Sequence, residues 1–276
     1  MVIIMLSTIF ARGRSETIAI TAFMTALVFL LTTIFQISIV ATRGYFNVGE
    51  IGVYISALLF GPYIGAFAGG VGSALADIAT GYTRYAPGTL VIKGCEGFIT
   101  GWLAQKLIWR SEQLSKSKVT LALALLVAGI IIILGFSFYN SVWTITLGMY
   151  INPGGADTPL LSIQFLTFDI LLTTIVWLVI ALIAGFLIVY MGYKRDPILT
   201  MMIISTLLGG TVMVIGYFLY EYLILYKVLG LEILAVAEIP FNVGQAVVGT
   251  LIAVSIARRV SLACLLYTSP SPRDRG

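Results

Sequence analysis

Residues 61 to 103 read GPYIGAFAGGVGSALADIATGYTRYAPGTLVIKGCEGFITGWL, and this stretch decides what kind of chain this is. One apolar run spans 62 to 80 and another 88 to 107, separated by the turn-rich GYTRYAPGT at 81 to 89. About 20 apolar residues at ~1.5 Å rise each cross a bilayer, so the stretch reads as two membrane helices joined at one membrane face. Gly65, Gly69 and Ser73 recur at every fourth position of the first, with Ala66, Gly70 and Ala74 beside them. Such stripes let helices approach closely; within one chain, intramolecular packing is the stronger use.

The same character runs through the whole chain. Of 276 residues, 59% are hydrophobic and 10% charged, and the mean hydropathy is +1.05, too little polar surface to cover a soluble globule. The apolar runs are continuous instead of alternating, which excludes a membrane β-barrel. Spans are expected near 17–40, 47–60, 62–80, 88–107, 119–139, 161–190, 198–225 and 240–258. This is an all-α polytopic membrane protein of about eight spans. The second span is short, so it and the third, joined at Gly61 and Pro62, form a tight helical hairpin.

If eight spans alternate, Arg12, Arg14, Lys106, Arg110, Lys116, Lys118, Lys194, Arg195, Arg258 and Arg259 fall on one side and Arg43, Arg84 and Lys227 on the other. The excess of basic residues marks the cytoplasmic face, which places both termini there. The net charge of +4 is therefore spread over loops, with no dense patch for nucleic acid. The opening apolar segment precedes its positive charges, the reverse of a secretory signal, and 1–16 read as a juxtamembrane N-terminus. From Leu262 the composition shifts towards Ser, Pro and Arg; residues 261–276 are expected to be a non-native disordered tail.

Orientation gives each intramembrane polar residue a depth. Asn47, Glu50, Asp77, Lys93, Glu96, Tyr217, Tyr220, Glu221, Asn242 and Gln245 all fall in the outer leaflet. A charge in hydrocarbon costs at least a few kcal/mol, so these groups should share partners, water or a ligand, and a polar pocket open to the exterior is the economical reading. The plainer alternative pairs Lys93 with Glu96 one turn away and lets Glu50 and Glu221 reach the surface. Tyr82, Arg84 and Tyr85 in the outer loop supply flat rings and a guanidinium suited to a planar heteroaromatic ligand, although interfacial tyrosines also serve as simple anchors.

There is no His, and Cys95 and Cys264 lack metal-ligand spacing, which argues against zinc, haem or His-based acid–base chemistry. No GxxxxGK[ST], HExxH or GxSxG occurs, so neither ATP hydrolysis by a P-loop nor an enzyme of those classes is expected.

The quoted stretch 61–103, together with IGYFLYEY at 215–222 and EIPFNVGQAVVGTLIA at 238–253, resembles the substrate-binding S components of energy-coupling factor (ECF) transporters, particularly the riboflavin-type group. The resemblance covers 17–110 and 198–258, and Ala22 with Ala26 match the AxxxA by which such proteins dock on a coupling subunit. It implies a six-helix core, 17–110 and 198–260, interrupted by an inserted helical pair and outer loop at 111–197. It further implies capture of a vitamin or related micronutrient, with a transmembrane coupling subunit and two cytosolic ATPases as partners and no cofactor on this chain. Asn47, Glu50, Lys93, Tyr217, Glu221, Asn242 and Gln245 are the candidate ligand contacts, with Tyr82, Arg84 and Tyr85 as a lid. Lys93 and Arg84 would meet an anionic or carbonyl group. The loop INPGGADTPLLSIQ at 151–164 caps the pocket or merely connects, the connector being the safer reading. A stand-alone ion-coupled carrier using Glu50, Asp77, Glu96 and Glu221, and a non-transporting scaffold, are the alternatives; no internal repeat of the carrier type is visible.

The orientation is testable by single-cysteine labelling in a background lacking Cys95 and Cys264. Cysteines replacing Arg84 and Lys227 should react with an impermeant maleimide in intact cells, and those replacing Lys116 and Lys194 only after permeabilisation.

Overall fold

The computed structural model describes residues 13–39, 44–108, 121–122, 124–126, 128–129, 131–133, 141–151, 161–172, 174–193, 197–233 and 235–268. Helix α1, Arg14–Ile34, buries Met24, Val28, Thr32 and Thr33 and turns Ala22, Phe23, Ala26 and Leu30 outward. It stops six residues short of the expected 17–40 span. Phe35 is extended, and the chain enters a hairpin of β1, Gln36–Ile39, and β2, Gly44–Asn47, paired antiparallel from Gln36↔Asn47 to Ile39↔Gly44. The alternating, β-branched QISI favours strand, a preference that hydropathy alone does not register.

Helix α2, Glu50–Phe60, is ~16 Å long and is enclosed by protein from Gly52 to Ala57. It meets α3, Pro62–Thr80, at the single residue Gly61, whose φ of 90° is open to glycine; Pro62 then occupies the first turn, where its missing N–H costs nothing. This is the tight helical hairpin expected from Gly61 and Pro62. Gly81, at φ 91°, ends α3, and α4 follows as Ala86–Ile108.

The glycine stripe lies between α3 and α4. Gly65 faces the backbone carbonyl of Gly97, Gly69 that of Lys93, Gly70 that of Leu90, and Gly101 the backbone of Pro62. A side chain at any of these positions would separate the helices, so the stripe serves packing within the chain. Gly52 and Gly72 admit Val28 in the same way, bringing α1 against α2 and α3.

A short apolar helix, α5, Ala124–Ile133, lies within the expected span 119–139, whereas the expected span 161–190 opens as strand. Ser141–Ile151 and Leu161–Leu172 are strands β3 and β4, antiparallel from Ser141↔Leu172 to Ile151↔Leu161. Helix begins only at α6, Thr174–Tyr193. SVWTITLGMYI and LSIQFLTFDILL are rich in Thr, Val, Ile and aromatics, residues that suit a pleated surface as well as a hydrophobic run. Asp169 stands opposite Thr144 in this hairpin; the centre of the loop reading, 152–160, lies outside the described residues.

Helix α7, Pro197–Leu219, passes without a break into a π-helical turn, Tyr220–Val228. After a 3-10 turn, Ala235–Glu238, helix α8 runs Ile239–Thr268. It carries the chain ten residues past the expected end at 258, so the first part of the expected tail is helical; 269–276 lie outside the described residues, as do 1–12. Ile131, Ala181, Ile188, Met202, Ile203, Val247 and Val254 form a core that joins α5, α6, α7 and α8. Among the described residues, Arg14–Ile34, Ile198–Val228 and Ala235–Ala263 are long and apolar enough to cross a membrane. The chain is a helical membrane protein with two added hairpins.

The α3–α4 contact predicts an asymmetric mutational response. Gly97→Leu, forced against the Gly65 carbonyl, should cost ~1–3 kcal/mol or prevent folding, seen as a fall in Tm in detergent. Val91→Leu, on the same helix but 62% exposed, should stay within ~0.5 kcal/mol of the parent.

Candidate functional site

Among the described residues, the buried charged side chains are Glu50, Asp77, Lys93, Glu96, Glu221 and Glu238. Lys93, on α4, pairs with Glu50 of α2 and with Glu96 one turn along its own helix, the latter at 3.2 Å. Tyr54 donates its hydroxyl to the other oxygen of Glu96 at 2.8 Å. Glu50 and Tyr54 enter this position because Gly249 of α8 lies directly against Glu50 Cβ, and Gly210 of α7 faces the Tyr54 hydroxyl. The result is a buried ionic cluster at the junction of four helices.

A cavity of ≈ 30 Å³ adjoins this cluster, room for about two water molecules. Its walls come from most of the fold: Thr32 of α1, Gly44, Tyr45 and Asn47 of β2, Ser73 and Asp77 of α3, and Tyr85, Thr89 and Lys93 at and after the start of α4. Tyr217 closes one side, and Glu238, Asn242 and Gln245 the other. Tyr45 donates to Asp77 Oδ1 at 2.6 Å, and Tyr217 to Thr89 Oγ1 at 3.1 Å. Gln245 helps hold the wall: its Oε1 accepts from the Asn47 N–H at 3.3 Å, and its Nε2 donates to Asn242 Oδ1 at 3.0 Å. Asn47 Oδ1 in turn accepts from the Gly49 N–H at 2.7 Å, which fixes the corner between β2 and α2.

Two phenols of the cavity wall are held protonated. Burial, then the charge of Asp77 and its hydrogen bond, pushes Tyr45 well above its ordinary pKa. Burial and the charges of Glu221, Glu238 and Asp77 do the same to Tyr85. Both remain hydrogen-bond donors at any physiological pH.

Of the expected contacts, Asn47, Tyr85, Lys93, Tyr217, Asn242 and Gln245 line the cavity. Glu50 lies behind Lys93. Glu221 is fully buried in the π-helical turn and lies within reach of Tyr85 and Glu238. Tyr82 stacks obliquely on Tyr45, centroids 4.4 Å apart. Arg84 is exposed, and its backbone carbonyl accepts the Tyr220 hydroxyl at 2.7 Å. The pairing of Lys93 with Glu96 is present, but Glu50 joins it, so Lys93 arrives at the cavity already neutralised.

Sequence reading named Asp77 among the clustered polar residues without assigning it to the ligand, and passed over Thr32, Gly44, Ser73, Thr89 and Glu238. Glu238 sits just ahead of Pro240, outside the apolar run, where nothing but folding brings it to Gly44; its carboxylate packs directly on that glycine. Thr32, Ser73 and Thr89 are single hydroxyls among many in membrane helices and carry no pattern of their own.

The chain matches the family described as "ECF-type riboflavin transporter, S component" over residues 14–153 and 163–262. That match continues through most of 111–197, where the motif resemblance stops. An uncharacterized protein from the gap 3′ region of Pyrococcus woesei is 42% identical over 125 residues, 45% of this chain and 74% of that protein. The thiamine precursor transporter HmpT of Lactococcus lactis subsp. cremoris is 32% identical over 81 residues, 29% of this chain and about half (49%) of that transporter. No solved structure matches.

The ionic cluster generates a double-mutant test. Lys93→Met leaves Glu50 and Glu96 buried without a counter-charge and should cost ~3–5 kcal/mol. Adding Glu50→Gln should restore part of that loss, measured as Tm in detergent; additive effects would show that the two groups are not coupled.

Proposed function

The chain belongs to the family of ECF-type riboflavin transporter S components, a family of transporter substrate-binding components and not of enzymes, and from that membership we propose that it captures a vitamin or vitamin precursor at the outer face of a prokaryotic cell membrane. The observation that carries this reading is the cavity itself: aromatic and amide side chains from β2, the start of α4, α7 and α8 converge beside a neutralised ion cluster. Convergent polar groups among aromatic walls are the usual form of a small-molecule site. A ligand of vitamin size needs roughly 300 Å³ or more, so the β1–β2 hairpin and the 81–85 loop, which carry Tyr45, Tyr82 and Tyr85, would move outward to admit it.

Uptake then requires energy from elsewhere. Ala22 and Ala26 sit on the exposed face of α1, where small side chains suit close approach of another helix. We assign this face to a transmembrane coupling subunit, with two cytosolic ATPases supplying ATP hydrolysis and no cofactor on this chain. The substrate contacts proposed are Asn47, Tyr85, Lys93, Tyr217, Asn242 and Gln245, with Glu50 and Glu221 supporting them and Tyr82 and Arg84 at the rim.

Mass spectrometry of small molecules released from the detergent-purified chain tests capture. The wild type should carry one vitamin-type molecule per protein, and Tyr217→Ala and Asn242→Ala, which leave Glu50, Lys93 and Glu96 in place, should bind it at least ~5-fold more weakly. A wild type that is empty, and stays empty after incubation with a vitamin panel, would overturn tight capture and favour an ion-coupled carrier.

A further inference from the structure

The exposed ends of two neighbouring helices carry aromatic–lysine pairs that the cavity does not use. At one end Phe218, Tyr222 and Tyr226 stack in a ladder, each centroid 6.1 Å from the next. Tyr222, Tyr226 and Lys227 are exposed. Lys227 stands over the Tyr222 ring at 4.6 Å, because the i→i+5 winding of the π-helical turn aligns residues five apart. At the opposite end Lys106 of α4 stands over the exposed Trp102 at 4.3 Å. One turn back along α4, Phe98 meets Tyr63 of α3 edge-on with centroids 5.8 Å apart, and Tyr63 is 77% exposed.

Between the two ends the large exposed side chains of both helices are apolar: Val91 and Phe98 on α4, Leu208, Ile215 and Leu219 on α7. Thr211, which faces outward among them, returns its hydroxyl to the Leu207 carbonyl at 2.9 Å.

The packing of α4 on α7 sets the spacing of the pairs. Gly209 lies against Thr100 and Gly216 against Ile92, an antiparallel register that places Trp102 level with about Leu207 and Lys106 level with about Ile203. At ~1.5 Å per residue, Tyr222 is then ~22 Å from Trp102 along this axis, and the Lys227 backbone ~36 Å from that of Lys106. The hydrocarbon layer of a bilayer, ~30 Å thick, falls between these two values, so the aromatic residues lie just inside its edges and the lysine backbones just outside. Each lysine folds its ammonium group back over the ring, to the edge itself. Amphipathic rings at the boundary with ammonium groups reaching the headgroups are the arrangement that a lipid interface selects, whereas a covering protein would impose no such spacing.

We infer that the Tyr222–Lys227 and Trp102–Lys106 pairs are lipid anchors, each seating a ring at one edge of the hydrocarbon layer and an ammonium group on the phosphates of phospholipid headgroups, and that together they fix the depth of this chain in the bilayer. Lys93, next to Ile92 and so level with about Ile215, then lies ~10 Å inside the Tyr222 edge. The cavity belongs to the hydrocarbon layer near that face, whatever ligand it holds.

Spin-label depth measurements test this on the full chain, with Cys95 and Cys264 replaced, in vesicles of phosphatidylcholine and phosphatidylglycerol. Single cysteines replacing Leu208, Ile215, Leu219, Leu223 and Val228 follow α7 and its π-helical turn, and others replacing Phe98, Leu103 and Leu107 follow α4. Oxygen, which concentrates in hydrocarbon, should relax the labels at 98, 208 and 215 more than an aqueous nickel chelate does, and nickel should dominate at 107 and 228. The crossings should therefore fall between 219 and 228 and between 98 and 107. A crossing outside either interval would overturn the inference, as would labels at 98 and 215 shielded from both reagents by a second protein chain. Combining Tyr222→Leu with Lys227→Gln keeps the bulk but removes the anchor, and should raise the oxygen-to-nickel ratio at 223 as that end sinks into the hydrocarbon. An unchanged ratio in a chain whose Tm matches the parent would show that the pair does not set depth and would overturn it too. Should that variant not fold, Trp102→Leu with Lys106→Gln, read at 103, takes its place.

Discussion

Lys93 cannot be left alone where it sits. An ammonium group 4% exposed, inside a helical membrane protein, must be neutralised, and the fold meets that requirement by bringing Glu50 from a second helix and Glu96 from one turn away. Glu50 reaches it only if α2 is enclosed on all sides, and α2 is enclosed only because Gly249 and Gly210 leave room for Glu50 and Tyr54. The short α2, the single-residue turn at Gly61 and the glycine contacts of α3 with α4 are therefore linked constraints. Each removes side-chain volume where a polar group has to pass between helices.

The same cluster determines what lies above it. Because the ammonium is neutralised by Glu50 and Glu96, the cavity beside it inherits an ordered floor with no spare positive charge. The walls are assembled from segments distant in sequence, with Asn47 of β2 tied to Gln245 of α8 across almost the whole chain. Glu221 is carried on a π-helical turn, an irregularity often found where a helix must aim a functional side chain. Tyr45 and Tyr85, kept protonated by burial and nearby carboxylates, give the rim fixed donors.

Much of this could be read from residue types and depth alone. The α2–α3 hairpin followed from Gly61 and Pro62, the α3–α4 packing from the four-residue glycine spacing, and the gathering of Asn47, Lys93, Tyr217, Asn242 and Gln245 from their common leaflet. What escaped has physical causes. Hydropathy measures burial, not backbone conformation, so QISI, 141–151 and 161–172, with their Ile, Thr and aromatic residues, were taken into helical spans or loops although they form strands. Depth places a residue along the membrane normal but not around a helix. For that reason it grouped Glu50 with the lining residues, when Glu50 faces Lys93 from behind. Glu238 lay outside every apolar run, and only the 3-10 turn before α8 delivers it to the cavity.

The site's chemistry therefore rests on where Lys93 spends its charge. A structure of the chain bound to its co-purified ligand tests this most directly. Expected is a ring among Tyr45, Tyr85 and Tyr217, with its polar edge on Asn242, and with Lys93 still paired to Glu50 and Glu96. A ligand whose anionic group has drawn Lys93 away from both carboxylates would contradict it.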